Sequence, residues 1–237
     1  MRIAINQISL NPSAIARILG AVAFFLLLAS IGGQFVKYVL GHNSVKGLVS
    51  LFYLDNERNI PAYFSVLLML FAALLLVVIA VLSGKQRAPH VLKWAILSFG
   101  FLLMAFDEAF SAHERLVVPV RTLLGNSDYG VFYFAWVIPG MALVLALALF
   151  FRKFLLHLPA RTSLRFIMAA TIYIGGTIGL ELIGGRHAEL HSTQNLTYSM
   201  IVAIEESLEM AGLIVFIWAL LKHCADSFKE VRFRFEA

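Results

Sequence analysis

The last apolar run of the chain, from Tyr198 to Leu221, contains three carboxylates: Glu205, Glu206 and Glu209. The run is long enough to cross a bilayer, which takes about 20 apolar residues. At about 1.5 Å of rise per residue, Glu209 lies roughly 16 Å from the start of the run, beyond the reach of a Glu side chain to water. An unpaired carboxylate in hydrocarbon costs several kcal/mol. These acids must therefore be protonated, paired with cations, bound to metal or exposed to a wet cavity.

Composition identifies the chain as a membrane protein. Of its 237 residues, 60% are hydrophobic, only 14% are charged and twenty are Phe, which is not the composition of a soluble domain. Six segments have the length and apolar content of a membrane span. We expect an all-α, polytopic membrane helix bundle in which 1–237 form a single integral membrane domain. The predicted spans are 18–40, 63–83, 91–112, 130–151, 165–185 and 198–221.

The basic residues predict the orientation of the bundle. Thirteen of the nineteen lie at one set of helix ends: Arg2, Arg17, Lys85, Arg87, Lys93, Arg152, Lys153, Arg161, Arg165, Lys222, Lys229, Arg232 and Arg234. Because short basic loops stay in the cytoplasm, both termini are expected there, in the inner (plasma) membrane of a bacterial cell. The net charge of +5 then reflects contact with the lipid bilayer and not with nucleic acid.

The acidic residues are distributed in the opposite way. Eleven of the fourteen fall in or near the outer half: Asp55, Glu57, Asp107, Glu108, Glu114, Asp128, Glu181, Glu189, Glu205, Glu206 and Glu209. Acids within spans are rare and functional as a rule. The asymmetry predicts a site that opens to the periplasmic or extracellular side.

Several features predict local structure. Asn11 and Asn59 each stand before a proline-containing helix start and are expected to act as N-caps. Pro139 predicts a kink in the fourth span. The glycine-rich stretch 175–185 predicts close helix contact or a re-entrant end. The second span, 63–83, has no polar feature and is expected to face lipid.

The end of the third span is polar. On a regular helix one face and its flank carry Asp107, Glu108, Ser111, Glu114 and Arg115. His113 points elsewhere on such a helix, so it joins these residues only if the helix ends or distorts before it.

The fifth and sixth spans add further site residues. Glu181 lies about one turn inside the fifth span. Arg186, His187 and His191 follow it, and the i,i+4 spacing of the two histidines suits one metal ion if the segment is helical. In the sixth span Glu205 and Glu209 share a face, with Glu206 on its flank.

Three stretches, Leu54–Ser65, Asp107–Glu114 and Glu205–Met210, resemble a family of uncharacterised bacterial multipass membrane proteins. The resemblance carries no activity with it. It implies that Asp55 and Glu57 belong with the acidic site.

The types of polar residue present, but not their arrangement, are also similar to those of membrane zinc hydrolases of the alkaline-ceramidase kind. Such enzymes use a Ser, a His, an Asp and an H-x3-H pair, for which Ser111, His113, Asp107, His187 and His191 would stand here. This chain departs from that pattern in its six predicted spans, in its Ser-to-His spacing and in the position of the pair outside the last helix.

The first hypothesis is a divalent-metal centre, of zinc, iron or manganese with calcium not excluded, in a metal-dependent membrane hydrolase of a lipid or small molecule. The expected metal ligands are Asp107, Glu108, His113, Glu181, His187, His191, Glu205 and Glu209. The residues expected at the rim are Asp55, Glu57, Ser111, Glu114, Arg115, Arg186 and Glu206.

Two other hypotheses stay open. The carboxylates could form a cation or proton path in a channel or transporter, with an exit along the axis of a homo-oligomer. Alternatively, Arg115, Arg121 and Arg186 could pair with the acids in a structural subunit that performs no chemistry.

The predicted topology is tested by reporter fusions after residues 50, 88, 124, 158, 193 and 237. The reporter is expected to alternate between the outer and the cytoplasmic side from one fusion to the next, ending in the cytoplasm. Termini on opposite sides of the membrane would contradict the scheme.

Overall fold

The computed structural model describes residues 10–42, 44–56, 58–125 and 129–228, and these are helical with no strand among them. The predicted all-α class is confirmed for this part of the chain. The α-helices are α1 (Pro12–Tyr38), α2 (Leu48–Phe52), α3 (Ile60–Lys85), α4 (Val91–Phe110), α5 (Val117–Leu124), α6 (Val137–His157), α7 (Ala160–Ile174), α8 (Glu181–His191) and α9 (Leu196–Ser227). A π-helical segment, Gly175–Leu180, joins α7 to α8.

Four helical stretches among the described residues are long and apolar enough to cross a membrane. They are α1, α3, α6 and the continuous rod from Ala160 to His191. The number becomes five if α4 and the segment His113–Leu124, whose axes are bent by 77°, count as one span. The length and apolar content of these helices are consistent with a membrane protein, although α9, the sixth predicted span, is not among them.

The longest helix, α9, is the centre of the bundle. It packs against α1, α3, α7 and α8. Its Met210, Ile217 and Leu220 side chains are fully buried and belong to one apolar core with residues of α3 and α7. Because lipid is as apolar as these side chains, close van der Waals packing stabilises such a helix more than the hydrophobic effect does.

Both predicted N-caps are confirmed. The Asn11 Oδ1 accepts hydrogen bonds from the backbone N–H groups of Ser13 at 3.0 Å and Ala14 at 3.2 Å. The Asn59 Oδ1 accepts one from the N–H of Ala62 at 3.1 Å. A proline stands in the first turn of each helix, where its missing N–H would have had no intrahelical partner.

The prediction of a kink at Pro139 is wrong. Helix α6 begins at Val137, so Pro139 lies in the first turn, where proline fits, and not at a kink within the span. The lipid-facing prediction holds for one face of α3, where Leu67 is exposed, but the opposite face packs against α4 and α9 with Leu76 and Ile79 fully buried. An apolar sequence does not distinguish a lipid-facing side of a helix from a protein-facing one, because both surroundings are hydrophobic.

The glycine-rich stretch brings α7 and the π-helical segment against α9. A Cβ atom at Gly176 would lie 2.9 Å from the backbone oxygen of Glu205, and one at Gly212 would lie 2.7 Å from the backbone nitrogen of Tyr173. The predicted close helix contact is confirmed. The re-entrant end is not, because the rod continues through the π-helical segment and ends at His191.

Replacing Gly212 by Ala is expected to destabilise the protein, because the new methyl group would overlap the Tyr173 backbone. Overpacking of this kind costs about 1–3 kcal/mol. Thermal unfolding in detergent, followed by the helical circular dichroism signal, measures the loss. Gly20→Ala is the matched control, because a Cβ at Gly20 meets nothing within 4 Å and Ala favours a helix over Gly. Equal midpoints for the two variants would contradict the close contact.

Candidate functional site

A cavity of about 430 Å³ lies at the end of the bundle where α4 ends and α9 begins. We call it the acidic cavity. Eight carboxyl groups line it, from Asp55, Asp107, Glu108, Glu114, Glu181, Glu205, Glu206 and Glu209. The basic side chains that line it among the described residues are His113 and Arg121. Aromatic rings complete much of the wall, those of Tyr133, Phe134, Trp136, Tyr173 and Tyr198.

One wall of the acidic cavity is a stripe of α9. Tyr198, Val202, Glu205 and Glu209 recur every three or four residues and so share one face of the helix, as the sequence predicted. Glu206, on the flank of this face, also lines the cavity. A single helix therefore contributes three carboxyl groups to one space.

Glu181 and Glu205 are in contact across the cavity. Their carboxyl groups lie within hydrogen-bonding distance of each other. The indole N–H of Trp136 donates to the Glu181 Oε1 at 2.7 Å and fixes that carboxyl group. Glu205 is only 9% exposed. Two ionised carboxylates repel at this distance, so the contact requires a proton or a cation between them.

A second group of acids lies around the π-helical segment. The Glu209 carboxyl group lies near the Thr177 hydroxyl and near the carboxyl groups of Glu108 and Glu206. The Thr177 hydroxyl donates its proton to the backbone oxygen of Tyr173 at 3.0 Å. Widened helical turns of this type occur often at functional sites, because they turn a side chain out of the regular α-helical position.

His113 joins the acidic cavity because α4 ends before it. The helix stops at Phe110, and Ser111 adopts the left-handed conformation with φ of 49°. The chain then bends by 77°, so that Asp107 Oδ1 accepts from the His113 backbone N–H at 2.8 Å and Oδ2 lies 2.7 Å from its Nδ1. The imidazole packs on the Trp136 ring at 4.6 Å between centroids. Asp107 thus orients the histidine, which leaves Nε2 as its second nitrogen.

Asp55 lies at the mouth of the cavity, in the connection from α2 to α3. Its carboxyl group hydrogen bonds with the Tyr53 hydroxyl, which lies 3.2 Å from the Ser199 Oγ on α9. The Asn59 amide donates to the Tyr53 backbone oxygen at 2.6 Å. Asp55 therefore belongs to the acidic site, as the family resemblance implied. Glu57 lies outside the described residues.

Four of the predicted site residues do not line the acidic cavity. His187 and His191 lie on α8 with rings 5.0 Å apart, and the His187 Nε2 is 3.0 Å from the Asn195 Oδ1. Arg186 pairs with Glu189 at 3.0 Å. Arg115 also lies outside the lining, whereas the predicted rim residues Ser111, Glu114 and Glu206 are part of it.

The expected compact metal centre is not confirmed. Within the described ranges, no three His, Cys, Asp or Glu side chains converge closely enough to hold one metal ion. The carboxyl groups line a wide cavity, and the imidazoles of His187 and His191 are outside it. The arrangement instead places eight carboxyl groups around one cavity.

Sequence reasoning missed the neutral partners of the acids. Trp136 donates a hydrogen bond to Glu181, and Thr177 lies beside Glu209. Nothing in the local sequence marks either residue as part of a site. For Arg121 the sequence predicts only a place in an ion-pair network. Its guanidinium lies over the rings of Tyr129 and Tyr133, 4.7 and 4.4 Å from their centroids.

The floor of the acidic cavity is apolar. Beyond Glu209, the α9 side chains of Met210, Leu213, Ile217 and Leu220 are at most 2% exposed. These residues pack into the core with α3 and α7. The cavity is therefore a recess closed at one end by the bundle core.

Comparison with known proteins gives one match. The family model described as a domain of unknown function, DUF8692, matches residues 16–224. No curated protein and no solved structure matches the chain. The similarity to alkaline ceramidases is not shown by any of these comparisons.

Asp55 is expected to make stability depend on pH. Asp55 is exposed on one side, but desolvation by the surrounding protein raises its pKa, while the Tyr53 hydroxyl and the Lys37 charge act in the opposite direction. The folded protein then holds a proton that the unfolded chain releases near pH 4, so stability falls as pH rises from that value through the folded pKa. Asp55→Asn has no carboxyl group at this position and does not lose stability in this way. As pH rises through this range, its thermal midpoint is therefore expected to rise relative to that of wild type.

Thermal unfolding of both proteins in detergent at a series of pH values measures the difference. Asp226→Asn is the control, because the Asp226 side chain is 62% exposed and lies at the other end of α9. A difference between wild type and Asp55→Asn that does not change with pH would contradict a raised pKa of Asp55 in the folded protein.

Proposed function

The chain belongs to the DUF8692 family, and we propose that it is an integral membrane protein. We propose further that its acidic cavity binds a divalent cation that keeps part of its hydration shell. The contact between the carboxyl groups of Glu181 and Glu205 carries this proposal. A bound dication would neutralise both groups at once.

The electrostatic cost supports a cation. Two like charges about 4 Å apart, at an effective dielectric constant of about 20, repel by about 4 kcal/mol. Glu108, Glu206 and Glu209 are neighbours in the same cavity and would repel one another in the same way if all were ionised. Several such repulsions would reach the roughly 5–15 kcal/mol that holds a typical fold together. Binding of a dication removes much of this repulsion and links ligand binding to folding.

The width of the cavity favours an oxygen-preferring cation. Zinc and iron centres need three or four ligands that converge on one ion, and the described side chains do not. Magnesium, manganese and calcium accept carboxylate oxygens together with waters. A partly hydrated ion would reach acids on α4, α8 and α9 that no bare ion could bridge.

A hydrolytic activity is the finer part of the proposal. A divalent cation lowers the pKa of a bound water. The His113 imidazole, oriented by Asp107, has its Nε2 available to accept a proton from such a water. The substrate would enter from the mouth at Asp55, with tyrosine and tryptophan rings in the wall to receive its apolar part.

A proton or cation path is the second candidate. The Glu181–Glu205 contact, with Glu209 deeper in the cavity, resembles a relay of acids. The apolar floor beyond Glu209 argues against it, because no polar exit continues along α9. The structural-subunit hypothesis is weakened because Arg186 pairs with Glu189 outside the cavity.

For the topology we propose that α9 crosses the membrane as a sixth span, surrounded by the others. Both termini would lie in the cytoplasm and the acidic cavity would face the periplasm. The concentration of bases at the opposite helix ends supports this orientation.

The cation proposal is tested by thermal unfolding of the full chain in detergent with MgCl₂, MnCl₂ or CaCl₂, against KCl at matched ionic strength. At a concentration of about 100 times Kd, a ligand of the folded state stabilises it by about 2.7 kcal/mol. We expect at least one divalent salt to raise the midpoint, and the Glu205→Gln/Glu209→Gln variant to lose that rise.

Asp226→Asn is the matched control, because it removes an acid at the opposite end of the bundle. It is expected to keep the full rise in midpoint. An equal rise in the double variant would show that the ion binds elsewhere. Proton flux in proteoliposomes that depends on Glu209, with no effect of divalent ions, would favour the relay.

A further inference from the structure

A second cavity, of about 180 Å³, lies at the opposite end of the bundle. It is framed by the connection from α3 to α4, the end of α6 and the end of α9. Three imidazoles line it, those of His90, His157 and His223, and we call it the histidine pocket. None of the three belongs to the acidic cavity or to the function proposed for it.

The three rings are held in place by their neighbours. The His90 and His157 rings lie 4.9 Å apart between centroids. His223 is 7% exposed and stacks on Trp94 at 5.1 Å. The His157 Nδ1 lies 2.5 Å from the Lys153 backbone oxygen, so this nitrogen carries the proton and Nε2 is the free atom.

The surroundings of the histidine pocket are strongly basic. In the stretches 83–93, 152–161 and 222–228, which the structure describes throughout, the one acid is Asp226. Its carboxylate lies 3.6 Å from the Arg165 guanidinium. The bases in these stretches are Lys85, Arg87, Lys93, Arg152, Lys153, Arg161 and Lys222. Such a distribution creates a positive potential that attracts anions.

We propose that the histidine pocket binds a phosphate-type oxyanion, from an anionic lipid head group or from free phosphate. The donors are the imidazoles, the hydroxyls of Ser83 and Ser227 and the amide of Gln86. His157, whose Nδ1 faces the Lys153 carbonyl, can donate to an oxyanion from Nε2 only as an imidazolium.

An oxyanion fits this pocket better than a metal ion does. A metal needs ligands at about 2.0–2.3 Å from one point, and no three candidate side chains in the described part of the chain converge in this way. The oxygens of a phosphate reach donors on different sides of the pocket. The volume, equal to about six waters at roughly 30 Å³ each, holds a phosphate with part of a glycerol or with several waters.

The test uses the full chain in nanodiscs of phosphatidylcholine. Native mass spectrometry measures retention of added phosphatidylglycerol, and thermal unfolding measures the effect of sodium phosphate against sodium chloride at equal ionic strength. We expect wild type to retain the anionic lipid, to be stabilised by phosphate, or both. Retention without a phosphate effect identifies the lipid as the source, and the reverse identifies the free anion.

The variant His90→Gln/His157→Gln removes two of the imidazoles. Its affinity for the bound ligand is expected to fall at least about tenfold, the factor that corresponds to loss of one ordinary hydrogen bond. His42→Gln is the control, because His42 is exposed, follows the C-terminal end of α1 and does not line the histidine pocket. This variant is expected to match wild type. If the double variant does not fold, His157→Gln replaces it, because His157 is exposed.

Two outcomes would overturn the proposal. In the first, wild type neither retains phosphatidylglycerol nor responds to phosphate. In the second, the histidine variant binds as tightly as wild type and His42→Gln, which would place the anion on the surface lysines and arginines.

Discussion

The burial of carboxyl groups on the central helix is the constraint on which this structure depends. Glu205, Glu206 and Glu209 lie in a helix that is otherwise as apolar as the bilayer. They cannot face lipid, because hydrocarbon offers an acid neither hydrogen bonds nor counter-charge. The surrounding elements therefore turn polar groups toward α9, with Thr177 beside Glu209 and Trp136 behind Glu181.

Close packing, and not charge attraction, brings these acids together. The absence of a side chain at Gly176 lets the π-helical segment touch the backbone of α9 at Glu205. Gly212 allows the same approach at Tyr173, one turn deeper. The backbone contact fixes the distance between helices, so the acids on them meet despite their mutual repulsion. A ligand that relieves the repulsion gains affinity from energy already stored in the fold.

The two ends of the bundle have opposite chemistry. Acids and aromatic rings line one recess, whereas imidazoles and bases surround the other. An apolar core of residues such as Leu213 and Ile217 lies between them. Because the field of a charge falls off with distance and is screened by solvent, the two proposed sites would attract ions of opposite sign independently of each other.

Features that depend on local physics follow from the amino-acid sequence alone. Asn11 and Asn59 start helices because their side chains satisfy the first N–H groups, and the spacing of Glu205 and Glu209 places both on one helix face. The remaining features depend on tertiary contacts. His113 enters the acidic cavity because the chain bends after Ser111, and one face of α3 is buried because α4 and α9 pack against it. His187 and His191 stay outside the cavity lining, since the face that α8 turns toward the acids depends on its packing against neighbouring elements, which no local pattern encodes.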